Sequence, residues 1–288
     1  MLKRYIVRVY RSARVEWRGL GFLEDGISRD IAYSDLIKES PIFVLSTGRS
    51  GTKFITEILE AYPSLWVEHS PSPELAHQSY LIYRESPDVD SIKLAFLHAR
   101  MDAMNRAHAS GYRYVETNNR ITFYAEAIAQ IFPNAKFVHI VRSPAEFVRS
   151  GMRRGYYSTM IPELSGHIEP RLCDPIRDIW SELTRVEKIS WQWNTINESI
   201  ERFKATIDAN RLFFCRSDDL FLNPDVATSL LEFVGVSYIN KEKILKKHST
   251  AVNQQNKGEF PEYIDWCMQD KNNLRRLAKL AVEYGFEL

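Results

Sequence analysis

Residues 41–59, PIFVLSTGRSGTKFITEIL, hold the stretch on which the fold turns. PIFVLS is a short apolar run with the length of a buried strand, and Phe54, Ile55, Ile58 and Leu59 follow at helical spacing. Between them, Ser46-Thr47-Gly48-Arg49-Ser50-Gly51-Thr52-Lys53 is a turn with two glycines, two cations and several hydroxyls. Gly48 and Gly51 let the backbone turn tightly. Successive amides can then converge on an anion at the positive end of the following helix, where Arg49 and Lys53 add charge. An ordinary glycine turn accounts for the glycines alone, but not for the cations and hydroxyls gathered with them. A nucleoside triphosphatase loop would place Ser or Thr directly after the lysine to hold magnesium. Here Phe54 follows Lys53, so the metal-binding hydroxyl is missing, and no metal ligand set is expected.

Working outward, the same punctuation recurs. Residues 64–68, YRYVE at 112–116, KFVHIV at 136–141 and RLFFCR at 211–216 read as further strands. Helical patterns occupy Ser91 to His108 (closed by Gly111), 121–132 (stopped by Pro133), a segment starting at Pro144, and roughly 178–208; two helices finish the chain. Strands alternating with helices predict an α/β fold, a mainly parallel sheet flanked by helices on both faces. No repeat or linker divides the 288 residues, so one domain is expected, with residues 1–40 as an extension.

The second anion site is read from FVHIVRSPAEFVRSGMRR, residues 137–154, which also runs from strand into helix. Pro144 suits the first helical turn, and Arg142 falls at the carboxyl end of its strand, the edge that faces the ligand crevice in parallel sheets. Ser150 lies two helical turns further on and can offer a hydroxyl to a second phosphate. Taken singly, Arg142 reads equally as a salt-bridged strand end and Ser150 as a small packing residue.

Together these residues resemble the sulfotransferase superfamily, whose members carry a 5′-phosphosulfate loop with Lys or Arg before Ser-Gly-Thr and an Arg and Ser eight residues apart for the 3′-phosphate. Arg49-Ser50-Gly51-Thr52 and Arg142 with Ser150 match both, in order, from about Pro41 onward. The loop arginine is similar to that of tyrosylprotein sulfotransferases and many bacterial members. The resemblance implies the P-loop-containing nucleoside triphosphate hydrolase-like sulfotransferase fold. It also implies 3′-phosphoadenosine 5′-phosphosulfate (PAPS) as donor, with Gly48, Arg49, Ser50, Gly51, Thr52, Lys53, Arg142 and Ser150 as its contacts. Lys257, in Asn256-Lys257-Gly258, is similar to a late Lys-Gly segment that contacts the 3′-phosphate.

Sulfuryl transfer also needs a base. The cytosolic members place a histidine where this chain has Asn118, and tyrosylprotein members use a glutamate close to the place of Glu68. Glu68 is therefore the first candidate and His69 the second, with Arg49 as the electrostatic catalyst and Glu116 as an orienting or acceptor-binding carboxylate. His139 sits inside an apolar strand and is read as a core residue. Trp191, Trp193 and Trp266 are assigned no site, since aromatics at helical spacing usually fill cores. Acceptor residues are expected within 70–110 and 155–180, where nothing decides among saccharide, lipid, peptide or small alcohol.

Composition bounds the partners. Thirty-eight basic residues nearly cancel 37 acidic ones, so no global field favours nucleic acid. Residues 1–18 hold six basic groups against Glu16 alone. A solvated basic edge is the favoured reading over a peripheral membrane contact. Cys173, Cys215 and Cys267 are odd in number and widely spaced, which predicts free thiols and, with no signal or spanning segment, a cytoplasmic protein. Two other readings compete: a metal-dependent, kinase-like phosphotransferase with a degenerate loop, and a non-catalytic nucleotide-binding module of the same fold.

Overall fold

The computed structural model describes residues 33–158, 167–236 and 259–288. At its centre lie β1 (Ile42–Leu45), β2 (Leu65–His69), β3 (Arg113–Thr117), β4 (Lys136–Val141) and β5 (Leu212–Arg216), in the order β2-β3-β1-β4-β5. Every pairing is parallel, with Val44 opposite Thr117 on one side of β1 and opposite Val138 on the other. β1 is buried along its whole length, the behaviour of a parallel strand covered on both faces.

A four-residue helix, Tyr33–Leu36, precedes β1, and the α-helices that follow it are α1 (Thr52–Leu59), α2 (Ala76–Glu85), α3 (Val89–Ala109), α4 (Ala125–Ile131), α5 (Pro144–Arg153), α6 (Arg185–Lys204), α7 (Ser217–Leu222), α8 (Pro224–Val234), α9 (Met268–Leu277) and α10 (Leu280–Glu283). One sheet face presents Ile42, Val44, Val115, Val138 and Ile140 to α1 and α8. The other presents Phe43, Leu45, Tyr114 and Phe137 to α3, α4 and α6. Here aromatic edges interlock, with Phe43 5.7 Å from Phe96 and Phe137 4.8 Å from Phe203 between ring centres. A third cluster joins Val141 and α5 to Trp193, Trp266 and the C-terminal helices. All three tryptophans set aside from the site are buried, and Trp193 Nε1 donates to the Arg142 carbonyl at 2.9 Å. Cys215 is buried on β5, while Cys173 and Cys267 are exposed; all three are free thiols.

Three helical readings are corrected. The stretch 121–132 divides into a 3-10 turn, Asn119–Tyr124, and then α4. The tightening has a cause: Asn118 Oδ1 caps Arg120 N at 3.0 Å, and the Thr122 hydroxyl is tied to both main-chain groups of Ser46. The long helix expected over 178–208 is α6, begun at Arg185 by a capping box in which Thr184 and Glu187 bond reciprocally. Four α-helices and a 3-10 turn, Tyr263–Asp265, follow β5 among the described residues, where two helices were expected.

Neighbouring strands β1 and β4 send their helices to opposite faces, α1 against the first and α5 against the second. A crevice therefore opens at their carboxyl ends, the place where ligands bind in open α/β sheets.

Candidate functional site

The loop after β1 is built on left-handed backbone. Gly48, Arg49 and Gly51 have φ of 80°, 57° and 95°, and arginine in that region stores strain that the surroundings must hold. The Ser46 hydroxyl accepts from Gly48 N at 3.1 Å and closes the turn. Both glycines are sterically required: a Cβ on Gly48 would stand 3.0 Å from Asn119 Cγ, and one on Gly51 2.6 Å from the Phe221 ring. Ser50 is fully buried and its hydroxyl has no protein partner, so the loop holds an unspent donor beside the start of α1. Thr52 and Lys53 form the first turn of α1, with Lys53 exposed.

The second anion motif meets the first directly. Arg49 Nε lies 3.4 Å from Ser150 Oγ, joining residues 101 apart in the chain. Arg142 Nη1 donates to the Arg49 carbonyl at 3.1 Å, and its Nη2 pairs with Glu146 at 2.9 Å. Ser150 is nearly buried, on the turn of α5 that faces the loop. Burial, and then the charges of Arg154 and Arg142, hold the Arg49 guanidinium below its ordinary pKa, with Tyr156 acting the other way. Cations crowded against one another in this way favour a bound anion.

Glu68 and His69 end the edge strand β2 and point to opposite faces. Glu68 Oε1 accepts from Trp66 Nε1 at 3.0 Å. His69 Nδ1 lies 2.9 Å from Thr117 Oγ1, which is itself 2.6 Å from Thr56 Oγ1, and Thr56 donates to the Thr52 carbonyl at 2.8 Å. Glu116 is fully buried. Its carboxylate accepts from Arg100 at 2.8 and 2.9 Å, from Tyr114 at 3.0 Å and from Asn118 at 3.1 Å. Of the two roles read for it, orienting is the one this geometry permits, because all its acceptor capacity is spent inside the core. His139 is buried as expected and 3.1 Å from Asn197 Oδ1.

Other residues reach the crevice without any motif to announce them. Arg120 leaves the end of β3, and Tyr156 lies within electrostatic reach of Arg49, Arg120 and Arg154. The His167 ring lies against that of Tyr156, tilted by 54° with 3.9 Å between ring centres, and burial, then Arg120, push its pKa down to about 4. The rings continue from Tyr157 through Trp180 to Trp191 at 5.5 and 5.0 Å. They lead to a cleft of about 570 Å³ lined by Tyr83, Arg171, Asp174, Trp191, Glu198 and Arg202. Tyr83 and Arg171–Asp174 fall in the two segments where acceptor residues are expected. Lys257 and the basic segment 1–18 lie outside the described residues. Among the described residues, no helix is long and apolar enough to cross a membrane, and no group of three or more metal-binding side chains is assembled.

A family model described as the sulfotransferase family matches residues 41–240. Among solved structures, the chain is similar to the sulfotransferase domain from the curacin biosynthetic pathway, at 14% identity over 87% of this chain and 99% of that one, with a TM-score of 0.51. It is similar to the sulfotransferase domain from the Synechococcus PCC 7002 olefin synthase at 17% identity over 87% and 97%, TM-score 0.52. A sulfotransferase from Alicyclobacillus acidocaldarius aligns at 14% identity over 87% and 97%, TM-score 0.52. At such identities the likeness is one of fold. No curated protein sequence matches the chain.

Proposed function

From the premise that the chain belongs to the sulfotransferase family, we propose that it moves a sulfuryl group from PAPS to a hydroxyl or amine of an acceptor. The observation that carries this reading is the meeting of the two anion motifs, Arg49 against Ser150 and Arg142 against the Arg49 carbonyl. One nucleotide bearing a phosphate at each end would span both. The partnerless Ser50 hydroxyl and the amides at the start of α1 suit the 5′ phosphosulfate. Arg142 and Ser150 suit the 3′-phosphate, and Lys257 is proposed to join them.

In the transfer, the acceptor oxygen or nitrogen attacks sulfur opposite the leaving oxygen. The sulfur–oxygen bond to the 5′-phosphate breaks, the phosphate keeps the electron pair, and the acceptor's proton passes to a base. Arg49 and the loop amides stabilise charge on the leaving phosphate, a purely electrostatic task, since arginine keeps its proton.

The base is proposed to be one of the neighbours Glu68 and His69. Proton bookkeeping favours the histidine. If Thr56 donates to the Thr52 carbonyl, the 2.6 Å contact takes its hydrogen from Thr117, and Thr117 must then accept from His69 Nδ1–H. That assignment satisfies these three contacts and lets Nδ1–H be shared with Thr56 at 3.3 Å, at the expense of the longer 3.5 Å approach of Thr117 Oγ1 to the Glu68 carbonyl, and it makes Nε2 the nitrogen without the proton. Glu68 is the second candidate, an ionisable carboxylate steadied by the Trp66 indole.

Calorimetric titration with 3′-phosphoadenosine 5′-phosphate (PAP), without magnesium and beside ADP and ATP with it, tests the donor. Micromolar or tighter metal-free binding that needs the 3′-phosphate, weakened at least tenfold by Arg142→Ala, is the expected result. Preference for magnesium-ATP would sink the reading.

A further inference from the structure

None of the residues assigned to the donor lines the cleft of about 570 Å³ beside α6, and its two walls are built differently. One wall is locked. Asp174 Oδ2 accepts from Arg171 N at 2.7 Å and from the Tyr83 hydroxyl at 3.3 Å, and Arg171 Nε donates to the Tyr83 carbonyl at 2.7 Å. The Arg171 guanidinium also lies 4.5 Å from the centre of the Tyr83 ring. The other wall is a single stripe of α6, Trp191, Thr195, Glu198, Ser199 and Arg202, which helical spacing stacks over roughly 16 Å. Its donors are uncommitted: among the described residues, the Thr195 and Ser199 hydroxyls, the Trp191 indole N–H and the Arg202 guanidinium have no hydrogen-bond partner.

Packing ties this cleft to the donor site. Ser150, 3.4 Å from Arg49, is followed by Gly151, whose missing side chain makes room for the Tyr156 ring: a Cβ there would stand 2.9 Å from Tyr156 Cδ2. Arg185, in the first turn of α6, donates to the Tyr156 and Met152 carbonyls at 2.8 and 2.9 Å, which fixes α6 against the end of α5. Tyr157 has a φ of 56°, a strained conformation held by its hydroxyl, which lies 2.5 Å from both the Ile168 carbonyl and Gln192 Oε1. From Tyr156 the rings of His167, Tyr157, Trp180 and Trp191 follow in steps of 3.9, 5.6, 5.5 and 5.0 Å. This row of rings gives an extended acceptor a path from the phosphate loop to the cleft.

The lining selects the chemistry of the ligand. Two arginines and two carboxylates leave the cleft without a dominant charge, so it favours neither a polyanion nor an anionic membrane. Hydroxyls and guanidinium N–H groups stand beside the Glu198 carboxylate, of which Oε1 already accepts from Asn194 at 2.8 Å. The Trp191 and Tyr83 rings add an apolar platform. A ligand that meets this mixture gives and accepts hydrogen bonds through closely spaced hydroxyls and turns C–H faces to the rings, which describes a sugar. An acyl chain would leave the polar groups unpaired. Resting on the donor assignment above, we infer that the cleft is a saccharide subsite, holding uncharged sugar units of a glycan acceptor while another unit of the same glycan is sulfated.

Ligand-observed NMR with cellotetraose, chitotetraose and mannotetraose, each added to the protein in excess PAP, reads the site directly. At least one is expected to bind with a Kd of about 1 mM or below, and Thr195→Ala combined with Ser199→Ala to weaken it about tenfold while PAP affinity stays within about twofold. With PAPS in place of PAP, mass spectrometry should find that tetrasaccharide sulfated. No binding by any of the three, binding that the double variant leaves unchanged, preference for an acidic tyrosine peptide, or binding without sulfation by a protein that does bind PAP overturns the inference. Unchanged PAP affinity certifies that the variant is folded, since neither residue belongs to the donor site. A wild type that binds a tetrasaccharide but not PAP would keep the saccharide site and fell the donor assignment instead, so the two failures are separable.

Discussion

The Thr56–Thr117–His69 chain sets the most consequential choice made by single residues. Glu68→Gln removes a carboxylate but keeps the indole contact to Trp66. His69→Asn removes the imidazole and leaves the two threonines bonded to each other. With either variant still binding PAP, the one that loses turnover by about a hundredfold or more in a single-turnover assay is the base; full activity in His69→Asn would refute the bookkeeping. Some of this was legible in the chain. Arg49, Arg142 and Ser150 stand on or just after strand-to-helix turns, and the structure brings Arg49 within hydrogen-bonding range of both other residues. Arg120, Tyr156 and His167 were not legible, because their proximity comes from three segments folded together and no spacing records it. For Glu116 the chain leaves two roles open, orienting or acceptor-binding, because a charged residue at a strand end looks available. Its neutralising partner Arg100 sits 16 residues away on α3, and the pair is entirely buried.

Among the elements, strands were read to within a residue or two. A parallel sheet covered on both sides writes each strand as an unbroken apolar run. Helix limits were read less well where side chains set them. The Thr184-x-x-Glu187 capping box is a sequence signal that fixes the start of α6. The Asn118 cap and the Thr122–Ser46 bonds that tighten Asn119–Tyr124 depend on tertiary contact and leave no such signal. The strand-loop-helix of β1 and α1 carries its own prediction. Gly51→Ala meets two obstacles, a φ of 95° and a methyl 2.6 Å from the Phe221 ring. It is expected to lower unfolding free energy in urea by about 1–3 kcal/mol. Gly51→Ala with Phe221→Ala should show less than the sum of the two single losses, since the clash is gone and only the backbone cost remains. A fully additive pair would mean that the ring yields freely.

For the whole molecule, acid is the sharpest stress. Burial pushes His139 and His167 down to about 4 from an ordinary 6.5. Above pH 6.5 both are neutral folded or unfolded, and they leave stability unchanged. Between about 6.5 and 4 the unfolded chain takes up protons that the folded one refuses, so stability falls as pH falls, and the loss levels off below the folded value. At pH 5 the cost is about 2 kcal/mol for each ring. Urea unfolding of wild type and His139→Gln across that range should show a shallower slope in the variant, even if its stability at pH 7 is lower; equal slopes would place the titration elsewhere. Burial also sorts the sulfur chemistry of the chain. Cys215, its thiol pushed up to about 12 by burial and then by Asp219, is sheltered within the sheet, whereas Cys173 and Cys267 face solvent. A maleimide should therefore modify two sites on the native protein and the third only after unfolding. With Cys267→Ser removing the other exposed thiol, a fluorophore on Cys173, next in sequence to Asp174, would be anchored at the rim of the cleft lined by Tyr83 and Trp191, giving an optical reporter of whatever enters there.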